Sequence, residues 1–317
     1  MNRSAGRNSF SVVIPLFNKE KAIAATLASV LRQTRLPDEI IVIDDGSTDD
    51  SVRIAREALS AGPKVPFTVL SQENAGVSAA RNAGARAARS AYIAFLDADD
   101  EWLPGFLAEI ERLACSFPQA AVLTTRNSIR AEDGSIAPAR SALPDRFFGM
   151  VERPLHKLRK SPGLIHSSSV AIRRDAWERV GGFPVGASQG EDLFLWLKLG
   201  LTEAMAHSSA PLSIFNAQHS ESDARRDVVG HHFAFFLGTS EGRAHLSNPD
   251  LRRYLSSHLF RRIVFRRLAG HSNVEAEHRR LASFLPAGSR LACLSALIAP
   301  LWLLRGALDL QRLQQRR

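Results

Sequence analysis

Four apolar runs within the first hundred residues restrict the fold more than anything else in this chain. They are Ser11-Val12-Val13-Ile14-Pro15-Leu16, Glu39-Ile40-Ile41-Val42-Ile43-Asp44, residues 67–70 and Tyr92-Ile93-Ala94-Phe95-Leu96. The first, second and fourth lack the apolar–polar alternation of a half-exposed strand, so they predict strands covered on both faces, and residues 67–70 predict a third strand. Helical patterns lie between them. Residues 19–33 carry Ile23, Thr26, Leu27, Val30 and Leu31 at helical spacing, and residues 76–88 form an alanine-rich helix. Strand–helix units repeated in this way imply an α/β fold: a doubly wound, mainly parallel sheet flanked by helices, with right-handed crossovers.

Beyond Trp102 the pattern weakens. Residues 121–125 and 168–172 predict further strands, residues 175–180 a short helix, and residues 190–200 a helix built on Leu193, Phe194, Trp196, Leu197 and Leu199. Residues 133–162, broken by prolines and glycines, predict a long loop. From Val228 onward the chain reads as helical and rich in arginine. The expected organisation is a flexible start over 1–9, an α/β domain over 10–227, and a basic helical extension over 228–317.

The formal charge of +9 is concentrated in that extension. From Arg243 onward there are 14 arginines and no lysine, against Asp250, Glu275, Glu277 and Asp309. Such a tail suits an anionic partner, a membrane surface or an acidic acceptor. No zinc finger, RNP-like strand or helix-turn-helix signal accompanies it, which argues against nucleic acid. Residues 291–304 are apolar apart from Ser295, but a spanning helix needs about 20 such residues. This segment is therefore either a docked helix or an interfacial one, with Trp302 at the boundary. The cysteines, Cys115 and Cys293, form no framework and fit a reducing cytosol. No signal-peptide core follows the polar start. The expected location is the cytoplasm, with the tail suited to the inner face of the cytoplasmic membrane.

Chemistry concentrates at strand ends. Asp97, Asp99, Asp100 and Glu101 follow the fourth apolar run, at the edge of a parallel sheet where ligands bind. Asp97 and Asp99, one residue apart on extended backbone, project to the same side. Two hard oxygen donors there suit Mg²⁺ or Mn²⁺ carrying phosphate oxygens. The alternative is a helix start near Pro104 capped by Asp99 or Asp100. The first strand–helix turn, Pro15-Leu16-Phe17-Asn18-Lys19-Glu20, contains no glycine, so neither a dinucleotide fingerprint nor a P-loop is present. Phosphates need another device, and a cation on Asp97 and Asp99 supplies one. Asp44 and Asp45 either accept bonds from a ribose or base, or shape the turn into Gly46 and Ser47. Ser47 and Asp50 have the spacing of a capping box. Glu191 and Asp192 stand at a helix start, where the dipole favours acids; a carboxylate there can also act as a general base. His219 on its own reads as a surface residue.

Together these segments resemble family 2 glycosyltransferases of the GT-A fold. The resemblance rests on Ser11-Val12-Val13-Ile14-Pro15-Leu16-Phe17-Asn18, Ile43-Asp44-Asp45-Gly46-Ser47-Thr48-Asp49 and Asn74-Ala75-Gly76-Val77-Ser78-Ala79-Ala80-Arg81-Asn82. It continues through Phe95-Leu96-Asp97-Ala98-Asp99-Asp100, which matches the family's Asp-x-Asp motif, and through Gly181-Gly182-Phe183 followed by Glu191-Asp192. It covers residues 10–223, and five motifs in register make it specific. The resemblance implies inverting transfer of one sugar from a nucleotide-diphosphate donor, a UDP-sugar by preference, to an acceptor hydroxyl. It places Asp45 on the base or ribose and Arg81 near base and phosphates, with Pro15, Phe17 and Glu20 also at the nucleotide. It implies an Mg²⁺ or Mn²⁺ cofactor held by Asp97 and Asp99, with His219 presented to the metal or diphosphate, and Asp192 as catalytic base. Asp100 and Glu101 are then expected to lead the next helix. The acceptor would be a glycan or a lipid-linked sugar of cell-surface polysaccharide or lipopolysaccharide synthesis. The Gln-x-x-Arg-Trp motif of processive synthases is absent, which predicts single additions. A non-catalytic nucleotide-sugar or glycan binding protein is the alternative. A nucleotidyltransferase would show a glycine-rich, basic first loop.

Overall fold

The computed structural model describes residues 8–161, 163–187, 190–217, 236–237, 239–268, 279, 281–285, 287–300 and 303. The chain divides into two compact units: Met1–Ala187 with Glu191–Glu221, and Ser188–Gly190 with Ser222–Arg317.

The first unit is built on a ten-stranded sheet: β1 (Phe10–Leu16), β2 (Glu39–Asp44), β3 (Phe67–Ser71), β4 (Tyr92–Phe95), β5 (Glu101–Trp102), β6 (Val122–Arg130), β7 (Ile136–Pro138), β8 (Phe148–Met150), β9 (Val170–Arg173) and β10 (Met205–Asn216). Its main order is β3-β2-β1-β4-β9-β6-β10-β5, with β7 on β6 and β8 on β10. The expected doubly wound sheet therefore forms. Strands β3, β2, β1 and β4 are mutually parallel, as are β6 and β10, whereas β9 runs against both β4 and β6.

Helices cover both faces, which is why β1, β2 and β4 need no polar side; β3, at the edge of the sheet, buries only Val69. The helices are α1 (Ile23–Leu31), α2 (Ser51–Ala61), α3 (Val77–Ala87), α4 (Phe106–Ser116), α5 (Pro154–Lys160), α6 (Arg174–Val180) and α7 (Glu191–Thr202). Ile23 and Leu27 of α1, Leu59 of α2 and Phe106 of α4 pack against Val12 and Ile14. Ala80 of α3, Trp177 of α6 and Trp196 of α7 pack with Val13, Ile93 and Phe95 on the other face. Each buried leucine- or phenylalanine-sized side chain contributes about 1.5–3 kcal/mol.

Chain order reverses beside β1. The chain steps from β1 to β2 to β3 on one side and then crosses to β4 on the other. The crevice beyond the carboxyl ends of β1 and β4 is thus a topological switch point, where open α/β sheets bind ligands. Pro15 fits this plan. Val13 O accepts from Leu96 N and Leu16 O from Asp45 N, so odd residues of β1 address β4 and even ones β2. The β1–β4 register ends at Val13–Phe95, so the missing N–H of Pro15 leaves no ladder bond unmade.

Five expectations are corrected. The loop expected over 133–162 contains β7, β8 and α5; three-residue strands are too short to show periodicity. Asp100 and Glu101 do not lead a helix. Glu101–Trp102 pairs with Ser213 and Ile214 of β10, and α4 begins only at Phe106. The indole of Trp102 stacks on Phe106 at 4.1 Å, and its burial draws the segment into the sheet. Ser47 and Asp50 form no capping box: Ser47 Oγ instead accepts from the Asn18 amide, and the Asp50 side chain makes no cap bond. Ser167–Ser169 is a 3₁₀ turn, so β9 starts at Val170. Helix α1 begins at Ile23, not Lys19, because residues 17–22 are held in a turn by the β2–α2 loop.

The second unit contains α8 (Ser240–Ala244), α9 (Pro249–Leu268) and α10 (Ala287–Ile298). Thr239 caps α8 through its Oγ1, 3.0 Å from the Gly242 amide. Leu251, Leu255, Leu259 and Ile263 form a buried stripe on α9 at helical spacing. Helix α10 buries Cys293, Ala296 and Leu297 and exposes Leu291 and Ile298. Arg267 donates to the carbonyls of Ala296 and Ala299, satisfying acceptors at the end of α10. Among the described residues no helix is long and apolar enough to cross a membrane.

Candidate active site

Polar side chains, not glycines, fix the first strand–helix turn. Asn18, left-handed at φ +50°, accepts the Thr48 amide on its Oδ1 at 2.8 Å. The Lys19 amide donates to Ser51 Oγ at 2.7 Å, and the Asp50 amide to Glu20 Oε2 at 3.2 Å. The turn is thereby laced to the start of α2. The Glu20 carboxylate thus accepts at a helix start, and Phe17 stands exposed on the rim.

Asp45 is buried at the end of β2. Its Oδ1 accepts from Gln72 Nε2 and the Ala75 amide at 2.7 and 2.9 Å, and its Oδ2 from the Gly76 amide at 2.8 Å. Gly76, at φ +87°, then turns the chain into α3. Asp44 accepts from the Ser47 amide at 2.9 Å, an Asx turn. Asp45 therefore orders the loop ahead of the helix that carries Arg81.

Two glycines bring Arg81 to the crevice. A Cβ on Gly84 would lie 2.3 Å from Val13 Cγ1, so glycine there lets α3 close on β1. Gly182, at φ +72°, lies where a Cβ would meet Asn82 Oδ1 at 2.6 Å and Trp177 at 2.8 Å. This close approach lets Asn82 hold both the amide and the carbonyl of Phe183. The Phe183 ring then supports the Arg81 guanidinium at 5.1 Å. Nη2 of Arg81 donates to Asp97 Oδ1 at 2.6 Å, and Nη1 to Glu191 Oε1 at 3.2 Å. Asp192, next to Glu191, accepts the Leu193 amide at 2.7 Å. Burial, reinforced by the Glu191 charge and opposed by Arg81, pushes its carboxyl up to about 7.

The acidic loop splits by role. Asp97 faces Arg81, and Asp99 Oδ2 lies 2.9 Å from Lys19 Nζ. Burial raises the Asp99 carboxyl, with Lys19 opposing and Asp97 adding to the shift. Asp100 is turned inward: it accepts from Ser168 Oγ at 2.5 Å and from the Asn216 amide at 3.0 Å. Burial and the neighbouring charges of Asp97 and Asp99 hold it well above the usual carboxylate range. The same Ser168 Oγ accepts the Asp97 amide at 3.1 Å, and Asn216 Nδ2 donates to the Asp99 carbonyl at 2.5 Å. Ser168 and Asn216 thus clamp the two ends of Asp97-Ala98-Asp99.

His219 lies outside the described residues. Among the described residues no three His, Cys, Asp or Glu side chains converge on one point. Asp97 and Asp99 fit a divalent cation in donor chemistry, since both supply hard oxygens and burial, with the Asp97 charge adding to it, raises Asp99. They fit a cation that keeps waters or phosphate oxygens, not one caged by protein alone. Lys19, Glu191, His166, Ser168, Asn216 and the inward role of Asp100 were not foreseen as a constellation. Only Lys19 and Glu191 carried a signal, as charges inside segments already singled out.

Comparison with known proteins bears on the family and the fold. The family model described as Glycosyl transferase family 2 matches residues 11–181. The chondroitin synthase of Escherichia coli is 30% identical over 200 residues, 62% of this chain and 27% of that protein. Of three such curated relatives the matched stretch spans only 26% to 28% of the length. Among solved structures, S. aureus TarS 1–349 in complex with UDP-GlcNAc has a TM-score of 0.65 at 17% identity, covering 91% of this chain and 89% of that one. The mannosyltransferase PcManGT from Pyrobaculum calidifontis, in complex with GDP-Man and Mn²⁺, has a TM-score of 0.55 at 19% identity, covering 94% and 88%. Both share the fold.

Proposed function

The chain belongs to glycosyl transferase family 2 and is a glycosyltransferase, and we propose that it moves one sugar, with inversion, from a nucleoside-diphosphate donor to an acceptor hydroxyl. The observation that carries this reading is Asp192: a carboxyl raised to about 7, beside the Arg81–Asp97 pair at the switch point. A base titrating near neutrality is suited to take a proton from an attacking hydroxyl.

In the step, the acceptor oxygen attacks the anomeric carbon as its proton passes to Asp192. The bond from that carbon to the diphosphate oxygen breaks, and the nucleoside diphosphate leaves with the electron pair. One in-line displacement inverts the centre, so a single base suffices. Asp97 and Asp99, joined by His219, would hold Mg²⁺ or Mn²⁺ at the diphosphate. A bound cation of this kind supplies charge neutralisation to the leaving diphosphate. Arg81 and Lys19, now on Asp97 and Asp99, add positive charge at the same place. Asp45, Pro15, Phe17 and Glu20 form the nucleotide side.

UDP is the proposed nucleotide, as in the TarS complex. The proposed acceptor is a glycan or a lipid-linked sugar of the cell envelope, added to one residue at a time. The arginines of the second unit, with exposed Leu291 and Ile298, support contact with an anionic membrane surface from the cytoplasmic side. The decisive experiment is a panel of UDP-, GDP- and dTDP-sugars with Mn²⁺, read as release of nucleoside diphosphate by wild type and Asp192→Asn. Release that persists undiminished in the variant would remove Asp192 from the role of base.

A further inference from the structure

His166 is a fixed hydrogen-bond donor beside the reacting groups that the proposed step leaves unused. It stands at the start of the Ser167–Ser169 turn, where its Nδ1 accepts the Ser168 amide at 3.2 Å. An accepting Nδ1 leaves the ring proton on Nε2. Burial holds the ring below its usual range, with Asp97 opposing and Arg81 assisting, so it is neutral near pH 7. The ring leans on Phe215 at 5.0 Å, and its Nδ1 lies 3.9 Å from Asp100 Oδ2. The side chain keeps 24% exposure, and among the described residues Nε2 has no partner.

Sheet order says what this donor meets. Because β9 runs against its neighbours, the residues before it arrive at the rim where β4 and β6 end. Along that rim the order is Asp45 after β2, Lys19 after β1, Asp97 and Asp99 after β4, then His166 ahead of β9. With the nucleotide over β2 and β1 and the diphosphate at Asp97 and Asp99, the next group along the donor is its sugar. We propose that His166 Nε2–H donates to a hydroxyl of the transferred sugar, making it a residue that selects the donor sugar. This rests on the nucleotide-sugar reading of the site.

The test is calorimetric and compares each bare nucleotide with its sugar conjugate: UDP with UDP-N-acetylglucosamine, and GDP with GDP-mannose, in the presence of Mn²⁺. His166→Asn keeps an acceptor for the Ser168 amide, as Asn is a favoured cap, and deletes only the Nε2 donor. His166→Ala removes both, and thermal melting controls for the fold. The expected result is a sugar conjugate that binds wild type more tightly than its nucleotide. In His166→Asn the conjugate should weaken about 3- to 10-fold with nucleotide affinity unchanged. Equal loss for nucleotide and conjugate, or no loss, overturns the assignment. So does an unchanged conjugate affinity with a raised acceptor KM, which would move His166 to the acceptor. A wild type that binds none of the four probes defeats the nucleotide-sugar reading itself.

Discussion

Arg81 holds Asp97 at 2.6 Å from a position that is 96% removed from solvent, and the second arm of its guanidinium reaches Glu191. One cation thereby joins the end of β4 to the start of α7 and lowers the cost of three clustered acids. Its Nε has no partner among the described groups, so the binding is carried by the two terminal nitrogens. Removing it should be severe. Arg81→Ala leaves Asp97, Glu191 and Asp192 without their shared counter-charge, and about 3 kcal/mol of stability should be lost in urea unfolding. Arg81→Lys keeps the charge but cannot fork, so it should fall between alanine and wild type.

Activity should follow the ionisation of Asp192. With its carboxyl raised to about 7, kcat/KM should level off above neutrality and fall about tenfold for each pH unit below it. Stability should run the other way. A group whose folded pKa is raised favours the folded state below its unfolded value and loses that contribution as pH rises through the folded one. Asp192→Asn, neutral throughout, should therefore melt higher than wild type at pH 8 and not at pH 4, while transfer is abolished. Scanning fluorimetry at the two pH values checks the sign.

Gly182→Ala should disturb the site from a distance. The new methyl meets Asn82 and Trp177, and the backbone is left-handed, so about 2 kcal/mol or more should be lost. Because Asn82 then releases Phe183, the variant should also weaken nucleotide binding. Gly181→Ala, also at positive φ but with no atom within 4 Å of its Cβ, should lose stability with less effect on binding.

Asp99→Asn should abolish Mn²⁺ binding, measured by the paramagnetic signal of the free ion. It should reduce transfer about 100-fold or more, since cation stabilisation of a leaving diphosphate is worth several kcal/mol. Lys19→Ala should have the opposite effect on the ion alone. It removes the cation that now sits on Asp99, so Mn²⁺ without nucleotide should bind more tightly.

The sheet could be read from the chain because β1, β2 and β4 are buried on both faces and their apolar runs are continuous. The reversed strand β9 could not, since a four-residue run carries no sign of direction. At the site, Asp97, Asp99 and Asp192 stood out by charge at strand and helix ends, whereas Arg81, inside α3, stood out only through the family resemblance. Asp100 was misread because an acid ahead of a helix usually caps it. What turned it inward was Ser168 and Asn216, 68 and 116 positions away, and no local pattern records such partners. His166 was invisible for the same reason, its tautomer being set by a turn that only the tertiary fold assembles.

Pro15 carries a consequence for how wide the crevice can open. An ordinary residue there would present an N–H toward β4, where the carbonyl of Leu96 could take it, and the two strands would zip one rung further. Asp97 would then be drawn toward the plane of the sheet. The imino acid withholds that rung, so the strands part company one step early. A single missing hydrogen thus ends the β1–β4 ladder before the acids begin, and leaves their placing to Ser168 and Asn216.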